Sequence, residues 1–266
     1  MADIKGSEKA SALSDFRVLS FDCYGTLVDW ESGFIQALQP LLPQLPDTHP
    51  LESSTPEILS IFQKIKAQIF KTQPTLLYSQ LLQQAYIALA QSLRGSTGDR
   101  DPSSTSLEAE RFASSIQNWE AFPDTRDALQ RLGRHFRLVI LSNVDNVSFG
   151  RTLQGPLEGV NFDAVYTAED IGSYKPDHRN FAYMFSRLHA DFGVQEGEVL
   201  HVAQSLVNDH VPAKELGITS AWITRGKEGQ KGMGGTLQDL REKVAFLWKF
   251  ADLNELATAV EMERQG

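Results

Sequence analysis

The sequence predicts an α/β fold, a parallel sheet with helices on both faces, interrupted after its first strand by an all-helical insertion. Three observations predict it. From Phe122 onward short apolar runs alternate with helical stretches, the texture of a parallel sheet covered by its own crossover helices. A similar apolar strand, residues 16–21, lies close to the N-terminus and needs that sheet to bury its two faces. Between the two, from about residue 31 to 118, the periodicity is helical throughout. The expected organisation is therefore a disordered leader at 1–14, a core made of 15–30 and 119–266, and a helical cap at 31–118 hanging over the carboxyl edge of the sheet.

Residues 1–14 are polar and without periodicity, and lack the apolar centre of a signal peptide. The first strand runs to Phe21 and stops at Asp22; Gly25 and Thr26 then suit a tight turn. In the insertion, Phe34, Leu38, Leu41 and Leu42 share one helical face before Pro43, Pro46 and Pro50 break the pattern. Ile58, Ile61, Phe62, Ile65 and Ile69 mark an amphipathic helix that stops near Pro74, and Leu77, Leu81, Leu82, Ala85, Leu89 and Leu93 mark another. Residues 95–104 read as a loop, after which Thr105 and Glu108 have the spacing of a capping box for a helix carrying Phe112, Ile116 and Trp119. Strands are expected at 138–141, 164–166, 199–202 and 221–224, the last of the sheet, with helices at 125–132, 179–188 and 211–216. The glycine-rich 226–235 reads as a linker, and 253–260 as a closing helix.

Composition narrows the function. The chain has 266 residues, 34 acids against 25 bases and a net charge of −9, with no run of Lys or Arg. That argues against a nucleic-acid or anionic-membrane surface, so the expected ligand is small. No apolar run approaches the length of a membrane span, and the single cysteine, Cys23, fits a reducing compartment, so a cytoplasmic protein is expected. The Leu- and Ile-rich faces of the inserted helices would serve a homodimer or fill the insertion's own core.

Four strand ends present polar groups to one edge: Asp22 with Tyr24, Ser142 with Asn143, Lys175 in the run Gly172 to Asp177, and Gln204 with Asp209. In an open α/β sheet that edge is where ligands bind. Cys23 neighbours the acid, but alternation along the strand end turns its side chain away, as a small buried hydrophobe. His178, His201 and His210 lack the spacing of a zinc site and read as packing or hydrogen-bonding residues. Trp30 reads as a packing anchor at the entry to the insertion.

These segments, FDCYGTLVD, LVILSNVD, YTAEDIGSYKPDHRNF and HVAQSLVNDHVPAKELG, resemble the haloacid dehalogenase (HAD) superfamily of hydrolases, and most of all its 2-haloacid dehalogenase branch. The resemblance implies a Rossmann-like core, a helical cap, a nucleophilic Asp22, a hydrogen-bonding Ser142, a charge-stabilising Lys175 and an orienting Asp209. Tyr24 joins the catalytic set, and Ser142, Asn143, Thr26 and Gln204 are assigned to substrate binding. A carboxylate held in a partly dry cleft can displace a leaving group and form an ester that water then opens. A lysine beside it would keep it ionised and stabilise the anion formed in transfer.

Two positions choose between reactions. Phosphatases of the superfamily carry a second Asp two residues after the nucleophile to protonate the departing alkoxide; here Tyr24 stands there, and halide needs no proton. One of the late acids that such phosphatases use for Mg²⁺ is Gln204 here, so no metal or other cofactor is expected unless the chain is a phosphatase, which would need Mg²⁺. The expected reaction is metal-independent dehalogenation of a small 2-haloalkanoic acid. The alternatives are an Mg²⁺-dependent small-molecule phosphatase and a non-catalytic binder on the same fold. Haloacid dehalogenases also use a cap arginine in an Arg-rich helix that has no match here. The helix around Ile58 offers Lys64, Lys66 and Lys71, with Gln63, Gln68 and Tyr78 also in the cap.

Overall fold

The computed structural model describes residues 12–41, 55–94, 102–226 and 234–265. Its centre is a parallel sheet of six strands: β1 (Val18–Phe21), β2 (Arg137–Ser142), β3 (Ala164–Thr167), β4 (Val199–Ala203), β5 (Ser220–Ile223) and β6 (Trp248–Phe250). Their order is β3-β2-β1-β4-β5-β6, with every neighbouring pair parallel. All four residues of β1 are buried, as its central place requires. Alternation sends Leu19, Phe21, Leu138 and Ile140 to one face and Val18, Val139 and Leu141 to the other.

Helices α5 (Thr125–Leu132) and α11 (Leu253–Gln265) cover the first face through Leu129, Leu132, Leu253, Leu256 and Val260. On the second face α8 (His178–Phe192) supplies Phe181, Met184, Phe185 and Leu188. The remaining core helices are α6 (Asn146–Gln154), α7 (Ala168–Ile171), α9 (Val211–Leu216) and α10 (Leu237–Leu240).

Between β1 and β2 run α1 (Trp30–Leu38), α2 (Thr55–Thr72), α3 (Tyr78–Arg94) and α4 (Pro102–Ser114). Phe34 meets Phe62 at 4.4 Å between ring centroids, and Phe112 lies 5.5 Å from Phe34 and 5.1 Å from Tyr86. Tilted and edge-on ring pairs at such distances are the favourable ones. Ile58, Leu81, Leu82, Leu89 and Leu93 are buried in this cluster, whereas Ile61, Ile65 and Ile69 are partly buried. The two passages between insertion and sheet run side by side. Asp29 N–H donates to Glu120 O at 2.8 Å and Phe122 N–H to Leu27 O at 3.0 Å. At Gly33 an added methyl would overlap the Trp119 indole, which is why α1 approaches this junction so closely.

Three expectations change. Leu13–Asp15 form a 3₁₀ turn with Leu13 buried, so residues 12–14 belong to the core and only 1–11, which lie outside the described residues, remain of the expected leader. Helix α4 begins at Pro102, three residues before Thr105, so the Thr105 and Glu108 pair lies inside the helix and not at its start. β5 is not the last strand, since β6 follows; three half-exposed residues with Lys249 outward carry too little apolar signal to be read. Helix α6 has an exposed Val147 and an internal Gly150, and its clearest marker is Asp145, whose carboxylate accepts from Ser148 N–H at the N-terminus. Most of the 95–104 loop and of the 226–235 linker, and Leu42, lie outside the described residues.

Candidate active site

The strand order reverses at β1 and β4, and the crevice beyond their carboxyl ends is where such a sheet takes a ligand. Asp22 follows β1 directly, Ser142 ends β2 and Gln204 follows β4, and all three face a cavity of about 770 Å³. Gln63, Lys66, Phe70 and Tyr78 from α2 and α3 line its other side.

Lys175 comes from the loop between α7 and α8 and is 3% exposed. Its ammonium has three protons, and each meets an oxygen: Asp22 Oδ1 at 2.9 Å, Asp209 Oδ1 at 2.7 Å and Leu141 O at 2.7 Å. The lysine is therefore a fixed strut between two carboxylates, with no donor left for a fourth partner. The backbone of Lys175 is pinned in turn by Asn143, whose amide oxygen accepts from Lys175 N–H at 2.7 Å and whose amide nitrogen donates to Lys175 O at 2.9 Å.

The two acids differ. Burial pushes the Asp22 carboxyl above the usual carboxylate range; Lys175 pulls it down, but the nearby charge of Asp209 adds to the rise. The expectation that Lys175 keeps Asp22 ionised by lowering its pKa is corrected: the lysine does pull it down, but desolvation outweighs it and the net shift is upward. Asp209 is also opposed by burial, yet the Lys175 charge and a 2.9 Å hydrogen bond to His201 Nε2 together hold it at about 2. His201 is fixed at its other nitrogen by Ser20 Oγ at 2.9 Å, inside the sheet.

The remaining residues divide into those that face the cavity and those that hold the frame. Ser142 Oγ is buried at the cavity wall and has no hydrogen-bond partner among the described residues, which suits it to meet a ligand. Gln204 also lines the cavity; Gly25 and Gly234 pack against its amide, and a methyl built on Gly234 would stand 2.8 Å from Gln204 Oε1. Thr26 is fully buried and away from the cavity. Its hydroxyl donates to Asp22 Oδ2 at 2.8 Å and accepts from Gln204 N–H at 2.9 Å, so it orients the acid and does not reach a substrate. Asn143 lines the cavity, but its amide is engaged at both ends by Lys175, a positioning duty in place of the expected substrate contact. Asp209 lies behind Lys175, outside the cavity lining.

Tyr24 is a wall. Its ring stacks on Tyr78 at 6.3 Å and meets Trp119 edge-on at 5.9 Å. Thr152 gives its own proton to Ser148 O, so the 2.7 Å contact between Tyr24 and Thr152 has Tyr24 as donor. Burial keeps the phenol well above its ordinary pKa. Trp30 lines the cavity as well as packing on Phe34. Cys23 is buried, and His178 and His210 bond to Glu215 and to Ser220 and Ala203 away from the cavity.

Sequence reasoning missed Arg225. It follows β5 with φ of +55°, a left-handed backbone uncommon for a side chain of this size. Its guanidinium donates twice to Thr26 O, at 3.0 and 2.6 Å, and to Asp124 Oδ1 at 2.6 Å, tying the Asp22 loop to the entry of α5. The available signal was its place, the second polar residue after a strand end on the same edge. Of the three candidate lysines of α2, Lys66 alone faces the cavity; Lys64, Lys71 and Gln68 are exposed.

Magnesium asks for about six oxygen ligands in near-octahedral array, with carboxylates among them. Here Asp22 offers a carboxylate already bonded to Lys175, Gln204 offers an amide, and Asp209 turns its Oδ1 to Lys175 and His201. Among the described residues no group of three His, Cys, Asp or Glu converges on one point. This donor set does not fit a tightly held Mg²⁺.

Residues 16–215 match the family model described as haloacid dehalogenase-like hydrolase. Haloacid dehalogenase-like hydrolase domain-containing protein 3 of Danio rerio is 33% identical over 122 residues, 43% of this chain; the match spans 46% of that relative's length. Among solved structures, an L-2-haloacid dehalogenase of Xanthobacter autotrophicus with chloropropionic acid covalently bound superposes with a TM-score of 0.68 at 18% identity, over 92% of this chain and 98% of that one. The magnesium-bound HAD-hydrolase YfnB of Bacillus subtilis, described as putative, gives 0.66 at 20% identity, over 91% and 96%. At these identities the likeness is one of fold, and the expected parallel sheet with inserted helices agrees with it.

Proposed function

The chain belongs to the haloacid dehalogenase-like hydrolases, and on that premise we propose that it hydrolyses a 2-haloalkanoic acid by covalent catalysis through Asp22, without a metal, beneath a cap formed by α1 to α4. In the first step an oxygen of Asp22 attacks the halogen-bearing carbon. A C–O bond forms and the halide departs with the electron pair of the C–halogen bond. In the second step water attacks the Asp22 carboxyl carbon, the ester C–O bond breaks on the enzyme side, the 2-hydroxy acid leaves and a proton is released. Thr26 and Lys175 aim the carboxylate, and burial raises its basicity, which favours attack once it is ionised. Ser142 Oγ, without a partner among the described residues, is suited to the substrate's carboxylate.

The observation that carries this reading over a phosphatase is Tyr24. Where a leaving-group acid would stand, the only proton is donated to Thr152 on a stacked aromatic wall. A departing alkoxide would find no acid there, whereas a halide needs none. The donor set around Asp22, poor in carboxylate for Mg²⁺, supports the same choice.

The test is turnover of 2-chloropropionate and of p-nitrophenyl phosphate, each with Mg²⁺ and with chelator. Chloride release that the chelator leaves unchanged is the expected result. Phosphate release that requires Mg²⁺, with no chloride released, overturns the reading in favour of a phosphatase.

A further inference from the structure

The cavity holds three cations, and two are committed. Lys175 gives all its protons to Asp22, Asp209 and Leu141, and Arg179, at the rim, is bound to Asp177 at 2.8 Å. Lys66 is different. It is 8% exposed, and among the described residues its ammonium has neither a hydrogen-bond acceptor nor an acidic partner. It lies over two aromatic faces, 5.2 Å from the Tyr78 centroid and 5.9 Å from that of Phe62. One turn earlier on the same helix, Gln63 also lines the cavity, and its buried Nε2 has no partner among the described residues. A buried cation and a buried amide donor left unmatched are costly, and side chains that carry such a cost are commonly kept for a ligand.

The place of Lys66 is set by a chain of contacts. Tyr24, two residues after Asp22, stacks on Tyr78, and Lys66 stands over Tyr78. Lys66 belongs to α2, whereas Asp22 follows β1 at the sheet edge, and both line the same cavity. The wall between is aromatic, with Phe70 and Tyr174 meeting at 4.5 Å beside Tyr78.

We propose that Lys66 and Gln63 form an anion-binding subsite on the α2 side of the cavity, which takes a carboxylate other than the one offered to Ser142, on an organic substrate whose apolar, preferably aromatic, body lies along Tyr78 and Phe70. This rests on the cavity being the substrate site, as argued above, and it makes the preferred substrate larger than a three-carbon haloacid. A volume of about 770 Å³ lies in the range of sites for drug-sized molecules, far beyond what 2-chloropropionate fills.

The test is equilibrium binding, which involves no turnover and so stands or falls apart from the role of Asp22. Phenylacetate and its neutral isostere phenylacetamide are titrated against wild type, Lys66→Met and Arg179→Met by calorimetry. Wild type is expected to bind the acid about tenfold or more tighter than the amide, the scale of one charge-assisted hydrogen bond. Lys66→Met should erase that preference while leaving the amide's affinity unchanged, and Arg179→Met should keep it. Met replaces the lysine stem without its charge, so the variant should melt at a higher temperature than wild type. A preference that survives in Lys66→Met, no preference in wild type, or a lowered melting temperature in Lys66→Met would each overturn the proposal; the last would make Lys66 a structural residue.

Discussion

Lys175→Met is expected to abolish turnover and to destabilise the fold by about 3–5 kcal/mol, the cost of leaving buried charge without its partner. One ammonium serves two carboxylates here, at 2.9 and 2.7 Å, and among the described residues neither acid is bonded to another lysine or arginine. Asp209 is fully buried, and among the described residues its Oδ2 has no partner, so water is not at hand to replace the lost charge. The defect has a predictable pH dependence. Asp209 in the native protein is held at about 2, below its ordinary 3.8, so it contributes stability that is present above about pH 4 and lost as pH falls toward 2. The variant lacks that contribution, and the gap between variant and wild type in urea unfolding should be widest near neutrality and narrow in acid. A variant within 1 kcal/mol of wild type at pH 7 would mean that the three-group cluster is not what holds the site together.

Asp22→Asn should lose activity by about 10⁴-fold or more while remaining folded, the loss typical when a nucleophile is removed from a unit that acts as one. The amide keeps the shape of the carboxylate and can accept the Thr26 hydrogen bond, and Lys175 retains Asp209 and Leu141. Turnover measured with halide detection, together with the unfolding midpoint, separates chemistry from stability. Activity within tenfold of wild type would remove Asp22 from the reaction. Absence of any activity in the wild type, with ligand binding unchanged in Asp22→Asn, would favour a non-catalytic binder.

Much of this architecture is written in local pattern, and the parts that are not have a common cause. β1, β2 and β4 are buried on both faces and read as plain apolar runs, and Asp22, Ser142 and Gln204 fall at their ends because a strand presents its first polar residue where burial stops. The long helices α2 and α3 bury one stripe each, so their periodicity is strong. β6 escaped because an edge strand of three half-exposed residues needs no apolar run. Leu13 escaped because one buried side chain in a polar stretch has no period.

At the site, residue types could be read but not their directions. Thr26 and Asn143 have the chemistry of substrate ligands, yet both turn inward to fix Asp22 and Lys175. Tyr24 stands where an acid belongs in a phosphatase, and only the hydroxyl of Thr152, 128 residues away, determines where its proton goes. Lys64, Lys66 and Lys71 were equivalent on paper; helix rotation buries the middle one and leaves the other two in solvent. Arg225 depends on a left-handed backbone after β5, and the residues it bonds, Thr26 and Asp124, lie about a hundred residues or more away in the chain. Each of these turns on contacts between segments far apart in the chain, which spacing cannot encode.

The covalent role of Asp22 is tested most directly by a single turnover of 2-chloropropionate in ¹⁸O-labelled water, with mass analysis of both protein and product. The account predicts one ¹⁸O in the Asp22 carboxyl group and unlabelled lactate, since the hydroxyl oxygen of that first product comes from the aspartate. Label in the lactate and none at Asp22 would mean that water attacks the carbon itself, and would contradict it.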